Sequence, residues 1–225
     1  VSVLRDGRTV VDAAPRGSLS RREIVAAMLG GTFDAAAKPR GSPGAAVLRA
    51  VALTRGTGRP PIDLAVGAGE ILGLVGLAGS GVLEIAAALA GGPAAGGALT
   101  VGDRPVPLRD RVAAVRAGVA FIPADRHAEG LFPILSALAN ASASMLRALS
   151  RAGLLQRQRE AAMFSPWIER LSLSPATLAA PASGYSGGNQ QKLLLARALE
   201  LPGLAVLVAL EPTRGVDIAA RDVIH

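Results

Sequence analysis

Apolar residues fall into short runs separated by glycine-rich turns, and these runs predict alternating strands and helices. Period-two patterns and buried runs predict strands over residues 46–53, 62–66, 71–75, 119–122 and 205–210, and hairpins over residues 1–10 and 99–106. Helical spacing predicts helices over residues 82–89 and from residue 187 onward, and a largely helical region over residues 135–178 with a break near Ser165. Ser20 and Glu23 form a capping-box pattern that opens a further helix. The alternation is typical of an α/β fold.

Composition excludes several classes of protein. The mean hydropathy of +0.40 is high, but Glu70 and Glu84 interrupt the longest apolar candidate for a membrane span. The absence of cysteine excludes a disulfide framework and a thiolate metal site, and no metal-ligand set is predicted. The net charge of +7 comes from scattered arginines, with Lys38 and Lys192 as the only lysines, and aromatic residues make up 3% of the chain. These features predict a solvated basic surface and no nucleic-acid partner.

A glycine-rich stretch, G-L-A-G-S-G at residues 76–81, stands between a predicted strand and a predicted helix. Glycines let backbone N–H groups approach a phosphate, and the start of the helix adds a favourable dipole. A tight turn without a ligand is one alternative. A dinucleotide-binding loop is another, with Asp103 near the spacing at which such loops need an acidic residue.

A second stretch, residues 184–217, predicts a turn, a helix, a strand buried on both faces and a further turn. Ser186, Gly187 and Gly188 open the helix, whose first N–H groups make an anion site. The strand delivers Glu211 to its carboxyl end, where open α/β sheets place their ligands. The alternative is a ligand-free turn followed by an ordinary core strand.

This second stretch resembles the signature helix, Walker B strand and D-loop of ABC-transporter ATPases. S-G-G-N-Q-Q-K with E-P-T-R-G-V-D is similar to the sugar and nucleoside importer ATPases that carry two cassettes in one chain. The resemblance implies an α/β P-loop NTPase core sheet with a small antiparallel β subdomain and a helical subdomain at about residues 135–185. It also implies that residues 1–31 end a preceding cassette, residues 32–46 are a linker, and residues 47–225 are a second cassette incomplete at its C-terminus.

The same resemblance assigns roles to residues of this cassette's own nucleotide site. Glu211 matches the catalytic base. The family's lysine and hydroxyl in the phosphate loop are replaced by Val82 and Leu83, and its magnesium-binding aspartate by Leu210. The loop is therefore a degenerate Walker A, and its remaining nucleotide-binding residues are Gly76, Gly79, Ser80 and Gly81.

Cassettes of this family work as head-to-tail pairs, so a further set of residues would serve the partner's site. The signature residues of this set are Ser186, Gly187, Gly188 and Gln190, and Asp217 occupies the D-loop position. This cassette is expected to donate its signature motif while its own site is weak or inactive.

The function implied is that of an ATP-binding subunit coupling ATP binding and hydrolysis, with ATP and Mg²⁺, to import of simple sugars or nucleosides. The expected partners are transmembrane permease subunits, the preceding cassette or a second copy, and indirectly a periplasmic or lipid-anchored solute-binding protein. The expected location is the cytoplasmic face of the cell membrane. A non-catalytic ABC-like interaction module and a truncated fragment without function remain alternatives, and the solute stays open.

Overall fold

The structure is a computed structural model that describes residues 1–5, 7–29, 42–54 and 60–214. The chain divides into two units, Val1–Arg40 and Gly41–His225. The smaller unit holds an antiparallel hairpin, β1 (Val3–Arg5) and β2 (Arg8–Val11), and helix α1 (Arg21–Leu29). Ser20 N donates to Glu23 Oε2 at 2.7 Å and Glu23 N donates to Ser20 Oγ at 3.2 Å, which confirms the capping box. The Ser20 hydroxyl also donates to Glu23 Oε2 at 2.7 Å, and this bond, together with the one from Ser20 N, lowers the pKa of Glu23.

The larger unit begins with a four-stranded antiparallel sheet. Its strands are β3 (Ala46–Thr54), β4 (Ile62–Gly67), β5 (Gly96–Val101) and β6 (Arg104–Val106), in the order β4-β3-β5-β6. The prediction of a small antiparallel sheet is confirmed, including the hairpin turn at Gly102. Leu48 and Leu53 of β3 are fully buried, and they join a core with Ile85 and Leu89 of helix α2 (Val82–Leu89).

A short helix and a buried strand follow. Helix α3 (Arg111–Arg116) is capped by Asp110, whose carboxylate accepts a bond from Ala113 N at 2.8 Å. Strand β7 (Val119–Ile122) has the bounds that the sequence predicts. A π-helical turn, Arg126–Gly130, leaves the strand, with Asp125 accepting bonds from the N–H groups of His127 and Ala128.

The region predicted as largely helical is helical only in part. It contains α4 (Ala137–Ser142), α5 (Arg157–Phe164) and α6 (Pro166–Arg170), with the predicted break at Ser165. It also contains an unpredicted hairpin of β8 (Ser150–Arg151) and β9 (Leu154–Leu155). Ala152 and Gly153 at the turn both have positive φ, as two-residue hairpin turns require. Alanine is unusual in that conformation, and this turn was therefore not predicted from the sequence.

Two final elements complete the described chain. Helix α7 (Gly187–Leu199) packs against both the helical subdomain and β7, and β10 (Val206–Ala209) pairs in parallel with β7. The structure corrects the expectation that this last strand is buried on both faces, because Leu207 is 38% exposed while Val208 is buried.

The prediction of a strand over residues 71–75 is wrong. These residues have no regular secondary structure, and Ile71 and Val75 are 97% and 94% exposed. A strand needs a hydrogen-bonded neighbour, and among the described residues none pairs with this segment. Strand β10 likewise pairs along one edge only within the described part of the chain.

The exposure of this segment predicts an unusual tolerance of polar substitution. Changing Ile71 and Val75 together to threonine should alter the free energy of unfolding by less than about 1 kcal/mol, because both side chains already face solvent. The matched control is Leu48→Thr, at a buried position, which should cost at least about 2 kcal/mol. Urea unfolding of the three proteins measures both values. A loss in the double variant as large as in the control would show that the segment is a buried strand after all.

Candidate functional site

The glycine-rich loop leads directly into helix α2. Gly81 precedes the helix with φ 85°, and Gly79 has φ 79°, a conformation that favours glycine at both positions. Ser80 N donates to Leu77 O at 2.9 Å, and Ile85 N donates to Gly81 O at 3.0 Å. The loop therefore has a tight turn and a helix start, both of which suit an anion. The segment before the loop, however, is not a strand.

The side chains of this loop are aliphatic where a nucleotide site needs charge. Leu83 stands where the family has a serine or threonine hydroxyl. Its hydrocarbon side chain is 47% exposed. A Cβ added at Gly76 would lie 2.9 Å from Val82 Cγ2 and even closer to Ser80 Oγ. Gly76 is thus packed closely against Ser80 and Val82.

A cavity of about 930 Å³ lies between this loop, residues 71–77 and strand β10. Gly76, Gly79, Ser80, Gly81 and Glu211 all line it, so the structure brings these predicted residues together. Its charged lining residues are all acidic, namely Glu70, Glu84 and Glu211, and no described arginine or lysine is among them. A triphosphate would meet three carboxylates here, and the cation described beside them, Arg214, does not line the cavity.

Glu211 stands at the carboxyl end of β10, as the sequence predicts. It has φ 45°, a left-handed conformation that is costly for a residue with a side chain. Its Oε2 pairs with Arg214 Nη1 at 3.0 Å, and both side chains are largely exposed, so the pair contributes at most about 1 kcal/mol. The neighbouring Leu210 is buried and donates its N–H to Ile122 O at 2.9 Å.

These residues do not fit Mg²⁺. Magnesium needs an octahedral set of oxygen ligands, and the side chains of Leu83 and Leu210 offer none. In the described ranges, no group of three or more histidine or acidic residues is arranged to hold a metal. No step of metal-assisted hydrolysis can be assigned to this cavity.

The signature turn, which consists of Ser186, Gly187 and Gly188 at the start of helix α7, is built differently from the glycine-rich loop. Ser186 caps helix α7 and is exposed, and its Oγ accepts bonds from Asn189 N at 3.4 Å and Asn189 Nδ2 at 3.0 Å. The Asn189 amide also donates to Ser174 O at 2.9 Å, which ties the turn to the helical subdomain. The N–H groups of Gly187 and Gly188 have no partner among the described residues.

Gln190 points inward rather than toward a ligand. It is 6% exposed, and its Nε2 donates to Ala182 O at 3.1 Å and Tyr185 O at 3.2 Å. Its Oε1 accepts a bond from Arg126 Nε at 3.2 Å. The side chain therefore holds the turn that precedes α7 in place.

The structure keeps the two predicted sets of residues apart. The signature residues do not line the 930 Å³ cavity, whereas the glycine-rich loop and Glu211 do. Asp217 lies outside the described residues. Arg126 and Asn189, which hold the signature turn, were not assigned structural roles from the sequence. Asn189 lies inside the second motif-bearing stretch, whereas Arg126 lies outside both stretches.

Comparisons with known proteins show which family this chain resembles. A family model described as ABC transporter matches residues 60–214. The ribose import ATP-binding protein RbsA of Rhodopirellula baltica is 36% identical over 235 residues, and RbsA 2 of Escherichia coli O157:H7 is 36% identical over 228 residues. A protein of Agrobacterium fabrum, provisionally named ribose/galactose/methyl galactoside import ATP-binding protein 3, is 35% identical over 227 residues. Each match covers 100% of this chain, which spans 45% of the relative's length.

Solved structures share the fold at low sequence identity. The dimeric post-hydrolysis state of the ATP-binding cassette MJ0796, bound to ADP and Pi, has a TM-score of 0.65 and 20% identity and covers 79% of each chain. The structure of cbiO1 from Clostridium perfringens has a TM-score of 0.61 and 16% identity, covering 80% of this chain and 71% of that one. Since the family model spans residues 60–214, this chain belongs to the ABC transporter family and has the α/β P-loop fold of its ATP-binding cassettes.

Proposed function

We propose that this chain is part of the ATP-binding subunit of a sugar importer, in which it donates its signature turn to a nucleotide site on another cassette. One contrast carries the proposal. The signature turn has an exposed serine and two N–H groups without described partners, while the chain's own loop is aliphatic and faces an acidic cavity. The chain thus has the signature turn that would act in a partner's site, and it lacks the lysine and the hydroxyl that its own nucleotide site would need.

The chemistry of the signature turn suits a negatively charged ligand. Ser186 Oγ accepts bonds from Asn189, so its own proton is available to donate outward. The N–H groups of Gly187 and Gly188 lie at the positive end of a 13-residue helix. Fixed donors of this kind stabilise charge that develops on a transferring phosphoryl group. ATP and Mg²⁺ would be held chiefly by the partner cassette.

The choice of sugar follows from the names of the relatives, which are ribose import and ribose/galactose/methyl galactoside import proteins. Such an importer needs transmembrane permease subunits and a solute-binding protein, and the ATP-binding subunit acts at the cytoplasmic face of the membrane. No helix in the described ranges is long and apolar enough to cross a bilayer. We assign residues 1–31 to the end of a preceding cassette, residues 32–46 to a linker and residues 47–225 to the second cassette.

A non-catalytic interaction module is the second candidate, because the cavity beside the chain's own loop holds three carboxylates and no described cation. In that case the chain would bind a permease or another cassette without contributing to ATP turnover. The two candidates differ in whether the signature turn affects ATP hydrolysis.

Substitution of the signature serine separates the candidates. In the complete transporter, Ser186→Arg should reduce ATP hydrolysis by at least about 100-fold, because it replaces a donor with a bulky cation at the turn. Ser183→Arg is the matched control, since Ser183 is also exposed and lies three residues earlier, and it should retain most activity. Val82→Ala in the chain's own loop should change the rate less than twofold. Steady-state phosphate release measures all three rates. Equal losses from Ser186→Arg and Val82→Ala would contradict the proposal.

Nucleotide titration tests the impaired loop directly. The 225-residue chain should not bind a fluorescent ATP analogue in the micromolar range, with or without Mg²⁺. A lysine–phosphate ion pair contributes roughly 4 kcal/mol at an effective dielectric of 20, so its absence weakens binding about 1000-fold. Val82→Lys combined with Leu83→Ser should restore binding by at least tenfold. Tight Mg²⁺-dependent binding by the unsubstituted chain would show that other residues hold the phosphates and the metal.

A further inference from the structure

Arg126 connects two segments that are far apart in sequence. It begins the π-helical turn after β7, and its guanidinium donates from Nε to Gln190 Oε1 at 3.2 Å and from Nη1 to Arg214 O at 3.3 Å. Gln190 lies 64 residues away and Arg214 lies 88 residues away. One side chain therefore joins the start of the signature helix to the turn that follows β10.

The bond to Gln190 reaches the signature turn itself. The Gln190 amide nitrogen donates two hydrogen bonds, to Ala182 O and to Tyr185 O, and these bonds fix the orientation of the amide group. Its oxygen is then directed at Arg126. A displacement of Arg126 would leave the buried Gln190 Oε1 without this donor. It would also loosen the hydrogen bonds from Gln190 Nε2 to Ala182 O and Tyr185 O.

The bond to Arg214 reaches the turn that carries Glu211. Arg214 N donates to Glu211 O at 2.9 Å, and the Arg214 guanidinium pairs with the Glu211 carboxylate at 3.0 Å. Residues 211–214 are thus a closed turn, and the carbonyl that Arg126 contacts is part of it. Arg126 thus contacts this turn directly and the signature turn through Gln190.

We propose that Arg126 is a positioning residue that fixes the signature turn relative to the Glu211 turn, through its two hydrogen bonds to Gln190 and Arg214. Both acceptors are neutral, so the geometry of the guanidinium matters more than its charge. Its planar array of N–H groups reaches two acceptors at once, which a single ammonium group on a flexible stem does not reproduce. The catalytic part of this inference depends on the proposed function.

The test uses the complete transporter with Arg126→Lys and Arg126→Gln. Both variants should lower kcat for ATP hydrolysis at least tenfold and leave KM for ATP within twofold, since the partner cassette holds most of the nucleotide. Arg116→Gln is the matched control, because Arg116 is an exposed arginine at the end of α3 outside both turns, and it should behave as the unsubstituted protein. Full activity in Arg126→Lys would overturn the proposal, because charge alone would then suffice.

A combined substitution tests whether Arg126 acts through Gln190. If it does, Arg126→Gln together with Gln190→Ala should lower kcat no further than the worse of the two single variants. Multiplied losses would mean that the two side chains act independently, and would overturn the proposed route.

Hydrogen exchange separates this inference from the proposed function, because it does not require ATP turnover. Amides of residues 182–190 should exchange at least tenfold faster in Arg126→Lys than in Arg116→Gln. Unchanged exchange would overturn the positioning role whatever the enzyme assay gives. Faster exchange with unchanged kcat, in a transporter that Ser186→Arg inactivates, would overturn the catalytic part of the inference. Failure of Ser186→Arg to affect hydrolysis would instead contradict the proposed function, while the exchange result would still decide whether Arg126 holds the turn.

Discussion

Helix α7 is packed on two sides, and both the helical subdomain and the core beneath β7 depend on this packing. Leu193 and Ala196 belong to the core of the helical subdomain, whereas Leu194 and Ala198 belong to the core beneath β7. Apolar contact on two faces requires a helix that is largely buried, and its polar residues then need internal partners. Arg197 meets this need by donating to Gly130 O, and its burial lowers its pKa to about 10.

This packing explains why the signature turn is well supported. The turn sits at the beginning of a helix that is held by two cores, and the helical subdomain adds further contacts. Trp167 is buried there and donates to Glu200 Oε1 at 2.9 Å, just beyond the end of α7. Glu160 is also buried, with Ser142 and Arg157 both donating to its carboxylate. The motif that we propose to serve another cassette thus begins a helix that is packed on two sides.

The glycine-rich loop has no comparable support. The segment before it is exposed, and β10 offers a hydrogen-bonding edge that no described strand uses. The cavity between them is bordered by aliphatic side chains and three carboxylates. Burying a triphosphate and a metal there would require charges and oxygen ligands that the loop does not contain. The difference between the two motifs is therefore one of packing as well as of residue identity.

Local patterns in the sequence determined the elements that depend on nearby residues alone. The capping box at Ser20, helix α2 and strand β7 all have the predicted positions, because capping, helical spacing and an apolar run bounded by turns act over a few residues. The family motifs likewise identified the loop, the signature helix and Glu211. Tertiary structure decided the rest. Residues 71–75 have strand-forming side chains but no neighbour to pair with among the described residues. Gln190 is part of the signature motif, but its side chain faces inward because α7 is packed on both sides. Strand pairing and burial depend on residues distant in the chain, and a local pattern contains no information about them.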